Sequence, residues 1–157
     1  MTRTTIYRGC AAIALVAGSF AAGDAIAKAR AKPLELSALK DVTWTPVMKD
    51  SPLPASAPIH GDSAKGAYEG YLKLPAGFES PPHKHSHDYW AVLIQGRMTH
   101  WAVDGGSEST AKQLGFGDLA YVPADLEHIS KCYPGQDCIV IMVQPGKFDF
   151  VPTKPAR

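Results

Sequence analysis

The sequence predicts an all-β fold, and three observations lead to that prediction. The 14 glycines and 13 prolines together account for 27 of the 157 residues, which suits many short strands joined by turns better than a helical bundle. Beyond residue 61 the apolar runs are short and closely spaced, and none keeps a helical period. The composition, 45% hydrophobic and 20% charged, is that of a globular protein. A single β-sandwich or closed barrel is therefore expected.

The first 27 residues are predicted to be a signal peptide. Arg3 and Arg8 form a basic start, and the apolar stretch 10–22 is shorter than the roughly 20 residues that a spanning helix needs. Small residues at alternate positions offer an Ala-x-Ala cleavage site, and we place the cut after Ala27. The mature protein is thus expected to be periplasmic or secreted and to lack a stable membrane anchor. An uncleaved anchor is the less favoured alternative.

Residues 28–60 are predicted to be an N-terminal arm laid on the domain. The segment is rich in proline and alanine and contains one strand-like stretch, at 42–47. The barrel itself is placed at 61–152, followed by a short tail at 153–157. Its predicted strands cover residues 67–74, 90–94, 98–103, 119–122, 129–132 and 138–143.

Cys132 and Cys138 are the only cysteines left once the signal peptide is removed. They flank a Pro134-Gly135 turn between two apolar runs, which is an arrangement that brings strand ends within bridging distance. In an exported protein we expect them to form a disulfide. A redox pair or a metal site is less favoured, because five intervening residues fit neither a C-x-x-C motif nor a zinc knuckle.

Candidate chemistry is concentrated in the histidines. His83, His85 and His87 stand at alternate positions, so on an extended strand they would project from one face, about 7 Å apart in succession. The outer two would be roughly 13 Å apart, too far to bind one ion, so at most two of the three are expected to be ligands. His128, on a later strand, would complete a three-nitrogen site if the two strands lie side by side.

Two spaced motifs resemble those of the cupins. In the first, Gly77 is followed after five residues by His83-x-His85 and an apolar strand ending at Gly96. In the second, Gly117 is followed by Pro123 and His128 at the cupin spacing. The resemblance implies a small double-stranded β-barrel, or jelly roll, with a metal at its mouth. By motif position His83, His85 and His128 match the three metal-binding histidines of the family.

The chain departs from the cupin pattern at two positions. The family's acidic ligand would fall at Tyr89 or Trp90, and the closing Asn of the second motif would fall at Cys132. The all-histidine set resembles that of cupin dioxygenases acting on cysteine or β-diketones. The segment 83–96, together with Trp44 and the stretch 122–128, is also similar to an exported cupin-like group of unknown function.

Other side chains near the motifs have more ordinary interpretations. Tyr89 is expected to fill the core, with metal ligation or proton donation as the alternative. His87 is expected to be a hydrogen-bond partner of a ligand, an alternative ligand, or a residue at the rim. His100 is interpreted as a partly exposed structural residue. The three tryptophans are expected to cap or fill the barrel.

The predicted function is that of an exported cupin-like protein that binds a divalent ion, Fe, Ni or Zn, through three histidines. We expect a metalloenzyme of dioxygenase or isomerase type, acting on a small acid or a dicarbonyl that chelates the ion. The alternative is a module that binds or senses a small molecule without turnover. A formal net charge of +1 with no dense basic run argues against a nucleic-acid partner. A homodimer stays an open alternative.

Overall fold

The computed structural model describes residues 34–48 and 51–153. The signal peptide predicted at 1–27 and all but Thr153 of the predicted tail lie outside these residues. The chain divides into two units, Met1–Ser37 and Ala38–Arg157. Within the first unit, residues 34–37 have no regular secondary structure. No helix among the described residues is long and apolar enough to cross a membrane.

Within the unit Ala38–Arg157, the regular secondary structure of the described residues is one 3₁₀ turn at Leu39–Asp41 followed by antiparallel strands joined by turns and loops. The strands are β1 Thr45–Met48, β2 Ser51–Gly61, β3 Tyr68–Leu74, β4 His83–Lys84, β5 Tyr89–Gln95, β6 Met98–Ala102, β7 Leu119–Val122, β8 His128–Cys132, β9 Cys138–Gln144 and β10 Val151–Pro152. They form a six-stranded sheet, in the order β1-β2-β3-β9-β5-β7, and a four-stranded sheet, in the order β10-β4-β8-β6. The predicted all-β, jelly-roll architecture is confirmed.

The core lies between the two sheets, and most of its residues come from the six-stranded one. Strand β5 alternates as a half-buried strand should, since Tyr89, Ala91 and Leu93 are buried and belong to the core cluster. Trp90 points the other way, is 41% exposed, and packs against Tyr121 with ring centroids 5.2 Å apart. The expectation that all three tryptophans would cap or fill the barrel is therefore wrong for Trp90.

The region expected to be an arm contains two strands instead of one, and both are part of the six-stranded sheet. The prolines make a strand at β2 difficult to predict from the sequence, because proline cannot donate a backbone hydrogen bond. The structure accommodates them at gaps in the pairing with β1. Pro52 and Pro54 lie opposite the register shift of β1, and Pro58 lies beyond the last residue that pairs with it. Ala55 and Ala57 are each 2% exposed and add to the barrel core.

The predicted disulfide between Cys132 and Cys138 is confirmed, with the two Cα atoms 5.8 Å apart. The bond joins the end of β8 to the start of β9. Gly96, in the turn between β5 and β6, packs directly on Cys138. It has a φ of +85°, and a Cβ there would lie 2.8 Å from the Asp137 carbonyl oxygen. Only glycine fits this turn without strain.

Candidate metal centre

Two of the candidate ligands are placed by strand register. Strand β4 lies between β10 and β8, and its pairing with β8 sets His83 directly opposite His128. Directly opposed side chains on one face of an antiparallel pair lie close together. The two imidazole ring centroids are accordingly 4.2 Å apart. The residues are 4% and 1% exposed, so both rings are withdrawn from solvent.

The third candidate, His85, follows β4 immediately and is 4% exposed. Its ring centroid lies 5.0 Å from that of His83 and 5.4 Å from that of His128. Each of the three residues has one potential ligand atom within 4.8 Å of those of the other two. The structure thus brings together the three histidines that the motifs singled out.

His87 is not part of this cluster. The sequence analysis treated 83–87 as one extended strand, but β4 ends at Lys84 and the chain bends at Ser86 and His87. The ring of His87 packs so closely on Gly146 that a Cβ there would overlap it. The side chain is therefore directed by this contact and not by strand alternation.

Hydrogen bonds fix which nitrogen each candidate ligand presents. Nδ1 of His83 lies 3.0 Å from the Pro81 carbonyl oxygen, and Nδ1 of His128 lies 2.9 Å from that of Leu126. Nδ1 of His85 contacts the Asp149 carbonyl oxygen. A carbonyl can only accept, so all three Nδ1 atoms are donors and carry the ring proton. The neutral rings therefore keep their lone pairs on Nε2, the atom available to an ion.

Burial keeps these rings neutral. It lowers the pKa of His83 to about 4, with the neighbouring His128 and His85 adding to the effect, and it lowers the pKa of His128 to about 4. Burial also lowers the pKa of His85, although the adjoining Asp149 opposes it. Near pH 7 all three imidazoles are neutral, each with its single ring proton on Nδ1. That is the form in which histidine binds a metal.

A C-terminal segment, residues 148–150, packs against the histidines. The Phe150 ring stacks on that of His83 with centroids 4.3 Å apart and planes 19° from parallel. Phe148 lies 5.6 Å from His85, whose Nδ1 bonds the carbonyl between the two phenylalanines. The Asp149 carboxylate accepts hydrogen bonds from Ser86, at the bend after β4. This segment holds the His85 ring in place and shields the cluster on one side.

Tyr89 and Trp90 were the two positions to which the missing acidic ligand could correspond, and the structure separates them. Trp90 is on the outer surface, whereas Tyr89 is 4% exposed and directs its hydroxyl toward the cluster. The hydroxyl oxygen lies 3.4 Å from His128 Nε2. Burial raises the pKa of the Tyr89 phenol, so this side chain is a neutral hydrogen-bond donor to the Nε2 lone pair.

A cavity of about 330 Å³ opens beside the cluster. His83 and His85 line it, whereas His128 is not part of its wall. Most of the wall is aliphatic or aromatic, contributed by both sheets and by the segment 148–150. Its volume falls at the lower end of the range for small-molecule sites, which are mainly apolar with a few placed polar groups.

Sequence reasoning missed three contributors to this site. His100 borders the cavity, with its ring centroid 6.0 Å from that of His128, although it was interpreted as merely structural. The Asp149 carbonyl and the flanking phenylalanines come from a segment that showed no motif. Strand alternation could have flagged His100, since it lies two residues beyond the buried Met98 on β6. The contacts of residues 148–150 left no signal in the local sequence.

Comparison with known protein families agrees with this architecture. A family model described as the cupin domain matches residues 70–144, which include all three clustered histidines. The chain belongs to the cupin superfamily. No curated protein sequence matches it.

Several solved cupin-like structures have a similar fold. The polyketide cyclase RemF from Streptomyces resistomycificus superposes with a TM-score of 0.58 at 15% identity, covering 80% of this chain and 89% of the cyclase. DMSP lyase DddQ from Ruegeria pomeroyi superposes with a TM-score of 0.57 at 19% identity, covering 74% of this chain and 63% of the lyase. An RmlC-like cupin from Ralstonia eutropha superposes with a TM-score of 0.56 at 21% identity, covering 73% of this chain and 69% of that protein. At such identities the similarity shows the fold alone.

The residues present in this cupin fit a divalent transition metal. Three neutral imidazoles whose candidate ligand atoms lie within 4.8 Å of one another are a donor set that suits Zn(II), Ni(II) and Fe(II). Each ring is oriented by a backbone acceptor on its other nitrogen, as metal-binding histidines usually are. A site with three protein ligands leaves further coordination positions for water or a substrate.

Proposed function

We propose that this cupin binds one divalent metal ion through the Nε2 atoms of His83, His85 and His128 and uses it to bind and transform a small chelating molecule. The supporting observation is the shared orientation of the three rings, each of which donates its Nδ1 proton to a backbone carbonyl. Buried imidazoles that merely fill a core have no need for three convergent, unprotonated nitrogens. The reaction class that we propose is oxidative or isomerising.

When bound, such an ion supplies Lewis acidity to an oxygen of the bound molecule. The protein's own residues exclude water, hold a proton and position the bound molecule. Phe148 and Phe150 exclude water from one side of the cluster, which strengthens electrostatic interactions within it. Tyr89 holds a proton on its hydroxyl 3.4 Å from His128 Nε2. The apolar cavity wall holds the body of the bound molecule next to His83 and His85.

Elemental analysis of dialysed protein tests the metal site. Wild type and four single variants, His83→Ala, His85→Ala, His128→Ala and the control His87→Ala, are titrated with Fe(II), Ni(II) and Zn(II). We expect one ion per chain in wild type and in the control, and loss of the ion in the other three, since two neutral ligands hold an ion poorly. Loss in His87→Ala with retention in His83→Ala would show that the ligand set is wrong.

A second candidate function is binding without turnover. It is favoured by the cavity wall, which within the described residues contains no carboxylate that could act as a general base. A wild-type protein that stays metal-free in the elemental analysis, with all four variants behaving identically, would support this function and exclude the metalloenzyme.

We further propose that the protein is exported after cleavage near Ala27. The Cys132–Cys138 disulfide supports this, because such bonds persist in oxidising compartments. N-terminal sequencing of protein taken from the periplasm or the medium should begin between Asp24 and Arg30. A mature protein that still carries Met1 would contradict export by this route.

A further inference from the structure

His100 is a polar side chain that the metal site leaves unused. It lies on β6, directly opposite Ser130 of β8, and its ring borders the cavity. Its Nε2 atom is buried, yet it has no hydrogen-bond partner within the described part of the chain. A buried ring nitrogen without a partner is costly, so its presence beside a cavity indicates a group held ready for a ligand.

The neighbouring serine determines what His100 offers. Ser130 Oγ lies 2.9 Å from His100 Nδ1. Among the described residues, His100 Nδ1 is the only side-chain hydrogen-bond partner of this hydroxyl. If Ser130 donates to Nδ1, the serine proton is satisfied and only the Nε2–H of His100 lacks a partner. If instead Nδ1–H donates to the serine, both the serine proton and Nε2 lack partners. The first arrangement leaves fewer buried groups unpaired, so Nε2 carries the proton.

The charge of the cavity wall restricts the ligand. No lysine or arginine lines the cavity within the described residues. A ligand carboxylate that is not bound to the metal would therefore be buried in this cavity as a charge with no counter-ion. The polar groups in the wall belong to histidines, serines and Tyr89, all of which are neutral near pH 7.

We infer that His100 Nε2–H is a ligand-positioning hydrogen-bond donor, and that the ligand is a largely apolar, chelating oxygen compound that is uncharged or carries a single negative charge. One part of the molecule would face the three clustered histidines, while an oxygen accepts the proton offered by His100. The inference rests on the proposed function for the metal-binding part of the ligand. The donor role of His100 is independent of it.

The ring tautomer can be measured in metal-free protein by long-range ¹H–¹⁵N NMR at pH 7.5. His83 and His128 should show the Nδ1–H form, and His100 the opposite, Nε2–H form. A Nδ1–H tautomer at His100 would overturn the donor assignment. This measurement needs no variant and no metal, so its result stands even if the proposed metal site fails.

Ligand class is tested by calorimetric titration of Zn(II)-loaded protein, because zinc has no redox chemistry that would consume the probe. The probe is benzoylacetone, and the control is malonate, which has the same 1,3 spacing of oxygens but two negative charges. We expect malonate to bind at least tenfold more weakly. Equal affinities would overturn the proposed ligand class. Failure of wild type to retain zinc would overturn the proposed function alone.

Variants of His100 connect the two measurements. His100→Phe keeps the ring size and removes the donor, so benzoylacetone affinity should fall about tenfold. His100→Gln keeps a donor and should retain more of the affinity than His100→Phe. Both should still bind one zinc ion per chain, since His100 is not a ligand. An unchanged benzoylacetone affinity in both folded variants would overturn the role assigned to His100.

Discussion

Strand β8 ends in two different environments. Its first residue, His128, belongs to the cluster with convergent nitrogens, and its last, Cys132, is 0% exposed and linked to Cys138. A strand of five residues separates them by about 13 Å. At the cysteine end the chain is closed by a covalent bond and a glycine contact. At the histidine end the three clustered rings are held by hydrogen bonds from Nδ1 to backbone carbonyls, and one of the remaining nitrogens, His128 Nε2, lies 3.4 Å from the Tyr89 hydroxyl.

The difference shows where this barrel is stabilised and where it is ready to bind. A buried polar atom that lacks a partner, such as His100 Nε2, destabilises a folded protein unless a ligand satisfies it. A rigid opposite end allows the barrel to tolerate that cost without losing the register that sets His83 opposite His128. Changes at the cysteine end should therefore alter stability and leave metal affinity alone, whereas the main effect of changes at the histidine end should be on metal affinity.

The largest loss of stability is expected for Gly96→Val. The φ of +85° disfavours any side chain, and its Cβ would lie 2.8 Å from the Asp137 carbonyl oxygen. We expect the free energy of unfolding to fall by about 3 kcal/mol or more, from strain and overpacking together. Chemical denaturation measures it. Gly77→Val is the matched control, because it has a φ of +79° but open space around the Cβ. Equal losses in both would attribute the effect to φ alone.

Removing the disulfide should have the next largest effect. In the variant Cys132→Ala/Cys138→Ala, the unfolded chain regains the entropy of a short loop, so stability should fall by about 2 kcal/mol. Zinc affinity of the folded protein should change less than threefold, because the bond lies at the far end of β8 from His128. A large drop in zinc affinity would show that the two ends are coupled and that the comparison is wrong.

Phe150→Ala should mainly lower zinc affinity and should change the free energy of unfolding only slightly. The ring is half-buried and stacks on His83, so its loss should lower stability by about 1 kcal/mol or less. Zinc affinity should fall up to about tenfold, as for residues that orient a metal ligand. Competition with a chelator measures the affinity, and Phe116→Ala is the control, since Phe116 is 83% exposed. An affinity equal to that of the control would mean that stacking does not orient His83.

Low pH should lower the free energy of unfolding of the metal-free protein, because the buried histidines of the cluster take up protons when the chain unfolds. The pKa values of His83 and His128 are about 4 in the folded protein, against an ordinary 6.5. Between these values the unfolded chain takes up more protons, so the free energy of unfolding falls as the pH falls from 6.5 toward 4. Denaturation at pH 7.5 and 5 measures this. His83→Gln/His128→Gln should weaken the dependence without abolishing it, because burial also lowers the pKa of His85 and of His100.

Local patterns predicted most of the strands, the disulfide and the three clustered histidines. Each of these depends on residues that stand close in sequence or in a fixed motif, such as the alternation from Tyr89 to Leu93. Strand β2 escaped prediction because its prolines are tolerated only at positions that do not pair with β1, which no local pattern reveals. The bend after Lys84 and the role of His100 also depend on tertiary contacts, with Gly146 and Ser130 respectively.

The position of the His85 acceptor has a consequence for the order of events in folding. Asp149 lies 64 residues further along the chain, and His83 meets His128 only when β4 pairs with β8. Contacts so distant in sequence form only after large loops have closed. An ion would therefore be captured by a finished barrel and would not guide the chain toward it. Bound metal should slow the rate of unfolding while leaving the rate of folding almost unchanged.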